Sequence, residues 1–276
     1  MMVYEARSPL DSQRLPDLPA GAMLGMREAP SQRDAMTLRC AIRTCPSLTL
    51  RLHGVTDLSL EHLKSFRLRG LEIDGCRGFD LTQLQALPRI ESLALRNCSF
   101  ETTVKSLQSL PSLQALRLEG MFDDVDTLHE CAALRVLDLN GTALPNFQAG
   151  YRLEALQLRN LETGENLPPL PRSLTALTLS GLSTLRRLPD LTRMNALAHL
   201  RLWGLPGIVD LAPLLEAPGL QTLEIARMPH LRVHDVFPIA AMGGLRELSV
   251  SLGGRRKDRE VHRAFAAARP QTAGAL

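Results

Sequence analysis

Lysine and aromatic side chains are scarce in this chain of 276 residues. Only Lys64, Lys105 and Lys257 occur, so 29 of the 32 basic residues are arginine, and aromatic residues make up 4% of the sequence. Proteins that bind nucleic acid combine a clustered basic patch with stacking aromatic rings. The formal net charge of +3 is small and scattered along the sequence. We therefore expect no nucleic-acid partner.

Cysteine pairs and long apolar runs are also missing. The five cysteines, Cys40, Cys45, Cys76, Cys98 and Cys131, are odd in number and form no CxxC motif, which argues against a disulfide framework or a zinc cage. Cys76 and Cys98 stand at the same repeat position, where a small buried apolar residue fits, so we predict that they are core thiols in a reducing compartment. No apolar run approaches the length of a membrane span. The first residues lack a basic stretch followed by an apolar core, so we expect no Sec-type signal peptide.

Catalytic and cofactor-binding motifs are absent from the sequence. It contains no Walker A loop, dinucleotide fingerprint, HExxH or GxSxG pattern, and these are the short motifs with a defined catalytic geometry. His230 and His234 stand four residues apart, but without a third ligand they predict surface histidines rather than a metal site. The sequence therefore predicts a protein that is not an enzyme and holds no cofactor or metal.

What the sequence has instead is a repeated leucine motif, Leu-x-Leu with Ile or Val as an occasional substitute. The motif recurs ten times at intervals of 19 to 25 residues, at Leu50/Leu52, Leu71/Ile73, Leu93/Leu95, Leu116/Leu118, Leu137/Leu139, Leu156/Leu158, Leu177/Leu179, Leu200/Leu202, Leu223/Ile225 and Leu248/Val250. Such periodic self-similarity is typical of stacked repeats. Alternation over two residues predicts strands with the leucines on one face and the intervening residues on the other.

Each predicted strand is followed by a residue that tolerates a left-handed backbone. Two residues beyond the second core position, eight successive repeats carry Gly54, Gly75, Asn97, Gly120, Gly141, Asn160, Gly181 and Gly204. Glycine and asparagine adopt positive φ most readily, so we predict a left-handed turn at every one of these positions. Spacings of three and four, as in residues 81–87, predict short helical or 3₁₀ segments between the strands. The proline-rich residues 166–174 should run extended.

Residues 46–253 resemble the leucine-rich repeat family. Their stretch LPPLPRSLTALTLSG, residues 167–181, is similar to the proline-bearing repeats of bacterial type III effectors. The resemblance implies an α/β fold, a curved solenoid of about ten repeats with parallel strands on its concave face. It also implies recognition of a protein target, with secretion by a non-Sec route into a host cell, or a cytoplasmic location.

Residues 18–45 resemble an F-box, the short helical motif that docks adaptors of SCF-type ubiquitin ligases. The matching residues are Leu18, Pro19, Met23, Leu24, Met26, Asp34 and Leu38. The resemblance implies a first helix carrying Met23, Leu24 and Met26, followed by a second helix that Asp34 can cap. The alternative is that these helices only cover the first repeat. We further predict a flexible leader over residues 1–17, and a helical cap and tail over residues 254–276.

Function is expected on the outward residues that flank the leucines. The candidate partner contacts are Arg51, Glu72, Asp74, Arg96, Arg117, Glu119, Asp138, Gln157, Arg159, His199, Arg201, Trp203 and Glu224. Their mixed charge suits a protein partner rather than a polyanion. His199, Arg201 and Trp203 stand out because tryptophan and arginine dominate the hot spots of protein interfaces. The alternative for Trp203 is packing over the neighbouring turn.

Three functions remain open at the level of sequence. The first is an effector that binds a host protein and links it to an SCF-type ligase. The second is a stand-alone leucine-rich repeat module for binding or immunity. The third is the substrate-binding half of a split ubiquitin ligase. No cysteine follows Cys131, so we expect the catalytic ligase domain to be absent from this chain.

Overall fold

The structure, a computed structural model, describes residues 3–11, 15, 18–56, 58–64, 66–100, 103–147 and 150–268. It contains two compact units, Met1–Ala143 (unit 1) and Leu144–Leu276 (unit 2). All ten Leu-x-Leu motifs lie in strands, and the paired strands within each unit run parallel. The predicted leucine-rich repeat architecture of parallel strands and short return segments is therefore confirmed.

Unit 1 is built on a parallel sheet whose strands follow the chain order. Its strands are β1 (Val3–Ala6), β2 (Met23–Met26), β3 (Thr49–His53), β4 (Gly70–Asp74), β6 (Ser92–Arg96), β8 (Ala115–Glu119) and β9 (Val136–Asn140), while β5 (Arg77–Phe79) and β7 (Ser99–Phe100) pair separately. Helix α1 spans Gln32–Thr44. The return segments are 3₁₀ helices at Glu61–Leu63, Leu81–Ala86, Val104–Ser109 and Val125–Glu130.

Unit 2 repeats the arrangement with fewer strands and more helix. Its parallel strands are β10 (Ala155–Arg159), β11 (Ala176–Ser180), β12 (His199–Trp203), β13 (Thr222–Ala226) and β14 (Glu247–Ser251), and its helices are α2 (Ala212–Leu215), α3 (Val233–Ala240) and α4 (Arg255–Ala268). Residues 166–174 contain no helix, as their prolines predict. Helix α4 packs on α3 and β14 and buries Val261.

The leucine motif forms the core because successive strands are in register. The second and fourth residues of most strands are buried and the flanking residues are partly exposed. Leu116 lies beside Leu137, and Leu118 beside Leu139, so each leucine is covered by the equivalent leucine of the next repeat. Burying apolar surface in this way is the main stabilising term, and it requires the strands to stay in register.

The left-handed turns are present at all eight predicted positions, with φ between 48° and 117°. Asn97 and Asn160 adopt this conformation as the glycines do. A ninth repeat has the same turn at Arg227, where φ is 55°. Arginine rarely adopts this conformation, so the turn at Arg227 is a feature that the glycine pattern does not predict.

The N-terminal region differs from its sequence-based prediction. Met23, Leu24 and Met26 form strand β2 rather than a helix, with Leu24 beside Leu50 and Met26 beside Leu52. The alternation Leu24-Gly25-Met26 extends the core stack of the repeats by one strand. Burial against the next strand overrides local helix propensity. The prediction of a first helix in the F-box-like segment is therefore wrong, and of the two predicted helices only the second, α1, is present.

The predicted flexible leader is also wrong for the residues that the structure describes. Val3–Ala6 form strand β1, which pairs with β2, and Leu10 and Leu15 are buried. Residues 1–2, 12–14 and 16–17 lie outside the described part of the chain, as do residues 269–276 of the predicted tail. The ordered stretch contributes apolar side chains to unit 1, and this burial offsets the entropy of ordering it.

Asp34 attaches this segment to helix α1. The N-cap of α1 is Ser31, and Asp34 is the third helical residue, where the two form a reciprocal capping box. The buried Asp34 carboxylate also accepts hydrogen bonds from Ser8 Oγ at 2.6 Å and from the Leu10 backbone N–H at 2.7 Å. Asp34 therefore does more than cap the helix, because it also fixes the chain between β1 and β2.

Candidate functional site

The outward residues of the strands form one surface in each unit, here called the strand face. In unit 1 this face carries a row of opposite charges, the charge ladder, formed by Arg51, Glu72, Asp74, Arg96, Arg117, Glu119 and Asp138. The register of the strands sets Arg51 beside Glu72, Arg96 beside Glu119, and Arg117 beside Asp138. Seven of the predicted contact residues are thus brought together by strand pairing alone.

The charge ladder is a continuous series of ion pairs. Arg51 contacts Glu72 at 3.2 Å and Asp74 at 2.6 Å, and Arg96 contacts Glu72 at 3.4 Å and Glu119 at 3.8 Å. The series ends at Arg117, which lies 3.4 Å from Glu119 and 3.5 Å from Asp138.

Burial makes the centre of the ladder its most strongly held part. The Glu72 side chain is only 7% exposed and lies between Arg51 and Arg96. The hydrogen bond from Arg51 to Asp74 raises the pKa of Arg51. Three arginines pair with four carboxylates along the ladder, so its groups are paired and one negative charge is in excess.

The ladder extends toward the N-terminus through Glu5. Glu5 on β1 lies beside Gly25 on β2, and its carboxylate is 2.9 Å from His53 Nε2 on β3. A Cβ at Gly25 would lie 2.7 Å from the Glu5 carboxylate oxygen. Gly25 therefore leaves room for Glu5 to reach across a strand, a contact that the sequence analysis missed.

In unit 2 the strand face is centred on Trp203, at the end of β12. Trp203 is half-buried, and its neighbours on the adjacent strands are the small residues Ser180 and Ala226. Arg201, two residues earlier, is exposed and pairs with Glu224 at 2.6 Å. We call His199, Arg201, Trp203, Glu224 and Arg227 the tryptophan patch.

Arg227 is the member of the tryptophan patch that sequence reasoning missed. Its guanidinium lies over the Trp203 ring, 5.2 Å from the centroid. The available signal was its place in the repeat, where the eight preceding repeats have glycine or asparagine. One face of Trp203 therefore packs on the neighbouring turn, while the side chain as a whole keeps partial exposure.

The remaining predicted contacts lie on the same face of unit 2. Gln157 and Arg159 project from β10 and are half-buried. Gln157 stands beside Thr178 on β11, in the row that continues to Arg201 and Glu224. This row is polar and carries few charges, unlike the charge ladder of unit 1.

Most of the residues predicted to bind an SCF adaptor are inaccessible. Met23, Leu24, Met26, Asp34 and Leu38 are buried in unit 1, because they form β2 and the inner side of α1. Leu18 is half-buried, and Pro19 is exposed. A partner at the surface of this region can contact only the last two of these side chains.

No group of histidine, cysteine and carboxylate side chains within the described residues is arranged to hold a metal ion. His230 Nε2 lies 2.6 Å from the backbone oxygen of Ile208, and His234 lies on α3 at 3.0 Å from Asp235. Among the described helices, none is long and apolar enough to cross a membrane.

Comparison with known proteins gives a partial match to a receptor. No family model matches the sequence. The rat leucine-rich repeat-containing G-protein coupled receptor 5 is 27% identical over 198 residues, a match that covers 67% of this chain and 20% of the receptor. The chain thus spans about a fifth of that receptor's length.

Among solved structures, a chain of the Drosophila Toll–Spätzle complex matches with a TM-score of 0.55 and 17% identity, over 91% of this chain and 37% of that chain. The chain has the leucine-rich repeat fold. The internalin InlF of Listeria monocytogenes also matches this leucine-rich repeat chain, with a TM-score of 0.46, 18% identity and 80% coverage of both chains. At such identities the likeness concerns the fold alone.

Proposed function

We propose that this leucine-rich repeat chain is a non-enzymatic recognition module that binds a protein partner through the tryptophan patch. The observation that carries the proposal is the half-buried Trp203 ring, held under Arg227 and beside the Arg201–Glu224 ion pair. Tryptophan and arginine at the centre of a patch are the residue types that contribute most to protein interfaces.

The surroundings of Trp203 support this choice of site. Ser180 and Ala226 stand beside Trp203 on the neighbouring strands, so the residues next to it in this row are small. Arg227 covers one face of the ring and restricts its movement. A rigid aromatic side chain loses little conformational entropy when a partner binds, which favours affinity.

The charge ladder has a supporting role in this proposal. Its carboxylates and guanidiniums already pair with one another, so a partner gains little by replacing those contacts. Complementary charge mainly selects the orientation and the rate of association. We therefore assign affinity to the tryptophan patch and orientation to the ladder.

The names of the matched proteins agree with recognition as a general function. The rat relative is a receptor, and the matched Drosophila chain comes from a complex of Toll with Spätzle. For this chain, a protein partner of that general kind is part of the proposal.

The test is capture of partners by wild-type chain and by the Trp203→Ala variant, followed by binding measurements with each purified candidate. We expect a direct partner whose affinity falls at least about tenfold in Trp203→Ala, since truncation of a hot-spot residue costs about 2 kcal/mol or more. Arg201→Ala should weaken the same complex.

The matched control is Arg152→Ala, an exposed arginine of unit 2 outside the strands. It should bind the partner as wild type does. A direct partner that binds Trp203→Ala and wild type equally would contradict the proposal, as would a partner whose affinity depends on Arg152.

We extend the proposal to an effector acting on a host protein, with the similarity of residues 167–181 to effector repeats as its support. Fusion to a translocation reporter in a strain with and without a type III system tests this part.

For a link to an SCF-type ligase, Leu18 and Pro19 are the accessible residues among the predicted adaptor contacts. A pull-down with the adaptor, using Leu18→Ala with Pro19→Ala, tests it, and absence of binding to wild type would end it.

A further inference from the structure

Unit 1 contains an arginine-lined cavity on the side where its strands begin. The cavity has a volume of about 760 Å³ and lies between α1 and the segments that lead into β4 and β6. Its arginines are Arg39 and Arg43 on α1, Arg67 and Arg69 before β4, and Arg89 before β6. We call this group the arginine cavity.

The cavity concentrates positive charge that the sequence spreads over fifty residues. Five arginines and one glutamate, Glu91, line it, so positive charges exceed negative ones by four among the lining residues of a chain whose formal net charge is +3. The charge that the sequence analysis treated as scattered is therefore clustered by folding. Concave sites lined by one sign of charge focus the electric field and attract counter-ions.

The five guanidiniums of the cavity differ in their contacts. Glu91 pairs with Arg69 at 3.5 Å. Within the described part of the chain, no ion pair involves Arg43, Arg67 or Arg89. Arg39 lies over the Phe66 ring at 5.6 Å from its centroid, which orients its guanidinium. Arg43, Arg67 and Arg89 therefore differ from the arginines of the charge ladder, each of which contacts two carboxylates.

We infer that the arginine cavity binds a compact ligand that carries two or more phosphate groups. The planar guanidinium fork matches the oxygens of a phosphate in a bidentate manner. Three separate segments of the chain supply the arginines, so one singly charged anion would leave most of them unpaired. The volume lies within the range of about 300–1,000 Å³ that small-molecule sites occupy.

The rest of the lining indicates what the ligand is not. Ile42 and Phe66 are buried side chains that line the cavity and supply apolar surface beside the arginines. Binding of single-stranded nucleic acid uses exposed aromatic rings on which bases stack. Phe66 is 7% exposed and is covered by Arg39, so it offers no such platform.

The inference is independent of the proposed function. The cavity residues lie in unit 1, on α1 and ahead of the strands, whereas the tryptophan patch lies in unit 2. The ligand could be a free polyphosphate compound or the headgroup of a multiply phosphorylated lipid, which share clustered phosphates. The experiment therefore includes an arm for each source.

The first test is calorimetric titration of the full chain with inorganic tripolyphosphate at about 0.15 M salt. We expect one site that binds tripolyphosphate at least about tenfold more tightly than inorganic phosphate. The double variant Arg67→Glu with Arg89→Glu should lose at least about tenfold in affinity. Both arginines are exposed, so the variant should fold, and circular dichroism checks this.

The matched control is Arg172→Glu with Arg193→Glu, two exposed arginines of unit 2 whose reversal changes the net charge equally. It should bind tripolyphosphate within about twofold of wild type. Equal loss in both double variants would mean a general charge effect and would overturn the inference. Failure of wild type to bind tripolyphosphate at about 1 mM would overturn it as well.

Cys40 supplies a second readout, because it is exposed and lines the cavity. Tripolyphosphate should slow alkylation of Cys40 at least about threefold in wild type and leave the rate in Arg67→Glu with Arg89→Glu unchanged. Tripolyphosphate that binds without protecting Cys40 would place the anion elsewhere and overturn the inference.

The last arm distinguishes the sources of the phosphates. Vesicles that contain a bisphosphorylated phosphoinositide are compared with vesicles of phosphatidylcholine alone, with tripolyphosphate as competitor. If the protein sediments with the phosphoinositide vesicles and tripolyphosphate abolishes this sedimentation, the ligand is a lipid headgroup. If the protein binds tripolyphosphate but does not sediment with the vesicles, the ligand is a free polyphosphate compound. Tighter binding of a hexaglutamate peptide than of tripolyphosphate would assign the cavity to an acidic peptide instead and overturn the inference.

Discussion

Arg227 is held in a backbone conformation that costs it energy. Among the described residues with positive φ that are not glycine, the others are Asn97, Asp124 and Asn160, whose short polar side chains tolerate that region. The left-handed conformation costs an ordinary residue about 1–2 kcal/mol. Stacking of a guanidinium on tryptophan contributes about 0.5–2 kcal/mol. The contact with Trp203 therefore offsets most of the strain.

We predict that Arg227→Gly changes the free energy of unfolding by less than about 1 kcal/mol, because relief of strain and loss of stacking nearly cancel. The fluorescence of Trp203, the single tryptophan in the sequence, should shift when its ring loses the guanidinium. Urea unfolding followed by fluorescence measures both quantities. Arg227→Asn should shift the emission in the same direction, and an unchanged spectrum in both variants would contradict the stacking.

Asp34 is the buried carboxylate on which the N-terminal segment depends. Burial would raise the pKa of Asp34, but hydrogen bonds from Ser31, Ser8 and Leu10 together outweigh burial and lower that pKa below its ordinary value of 3.8. The ionised form is therefore favoured more in the folded protein than in the unfolded chain. A lowered folded pKa stabilises the fold above the unfolded pKa, and this contribution is lost as the pH falls through the folded value.

We predict that Asp34→Asn lowers the free energy of unfolding by about 1–3 kcal/mol at pH 7, since the amide leaves some buried donors unsatisfied. The difference from wild type should shrink below pH 3.8, as the wild-type carboxylate becomes protonated. Urea unfolding of wild type and Asp34→Asn, at pH 7 and at a pH below 3.8, measures this difference in the free energy of unfolding. Asp123→Asn serves as the control, because Asp123 is exposed and its substitution should change stability little. A difference for Asp34→Asn that is the same at both pH values would count against the ionised form.

At the scale of elements, Glu72 on β4 connects neighbouring strands of unit 1 through its ion pairs with Arg51 on β3 and Arg96 on β6. We predict that Glu72→Gln destabilises the protein by about 1–3 kcal/mol, between the values for exposed and buried ion pairs, because Arg51 and Arg96 are still partly solvated. Thermal or urea unfolding measures this loss. Glu61→Gln is the control, since the Glu61 side chain is 71% exposed. Equal stability of Glu72→Gln and wild type would mean that the ladder contributes nothing to the fold.

The elements also separate what sequence patterns predict from what they miss. The ten leucine motifs predict β3, β4, β6 and β8–β14, because period-two alternation is a local property of the chain. The Leu-x-Leu motif does not predict strands β1 and β2. β1 is the edge strand of unit 1, and β2 has methionine and glycine at positions where the motif-bearing strands have other residues. Only the pairing of β2 with β3 shows that Met23–Met26 complete the stack.

At the scale of the whole molecule, the thiols report on the integrity of both the core and the surface. Cys45, Cys76 and Cys131 are buried, Cys98 is partly buried, and Cys40 is exposed. Burial raises the pKa of Cys76 and raises the pKa of Cys98 and Cys131 to about 11. The thiolate is the reactive form, so these groups resist alkylation while the fold is intact.

We predict that one thiol, Cys40, reacts with a maleimide at pH 8 in the native protein, and that all five cysteines react in concentrated urea. Mass spectrometry of the intact and digested protein counts and locates the labels. Cys40→Ser should leave almost no labelling under native conditions. Rapid native labelling of Cys76 or Cys131 would show that the repeats open locally.

The sequence by itself determined the repeat, the strands, the turns and the outward position of the candidate contacts, because each depends on residues a few positions apart. Tertiary structure decided the rest. It paired the ladder charges across strands, set Arg227 over Trp203, turned the expected first helix into β2, and gathered five distant arginines around one cavity. These contacts join residues from different repeats, and the spacing within a repeat carries no information about which side chains meet between repeats.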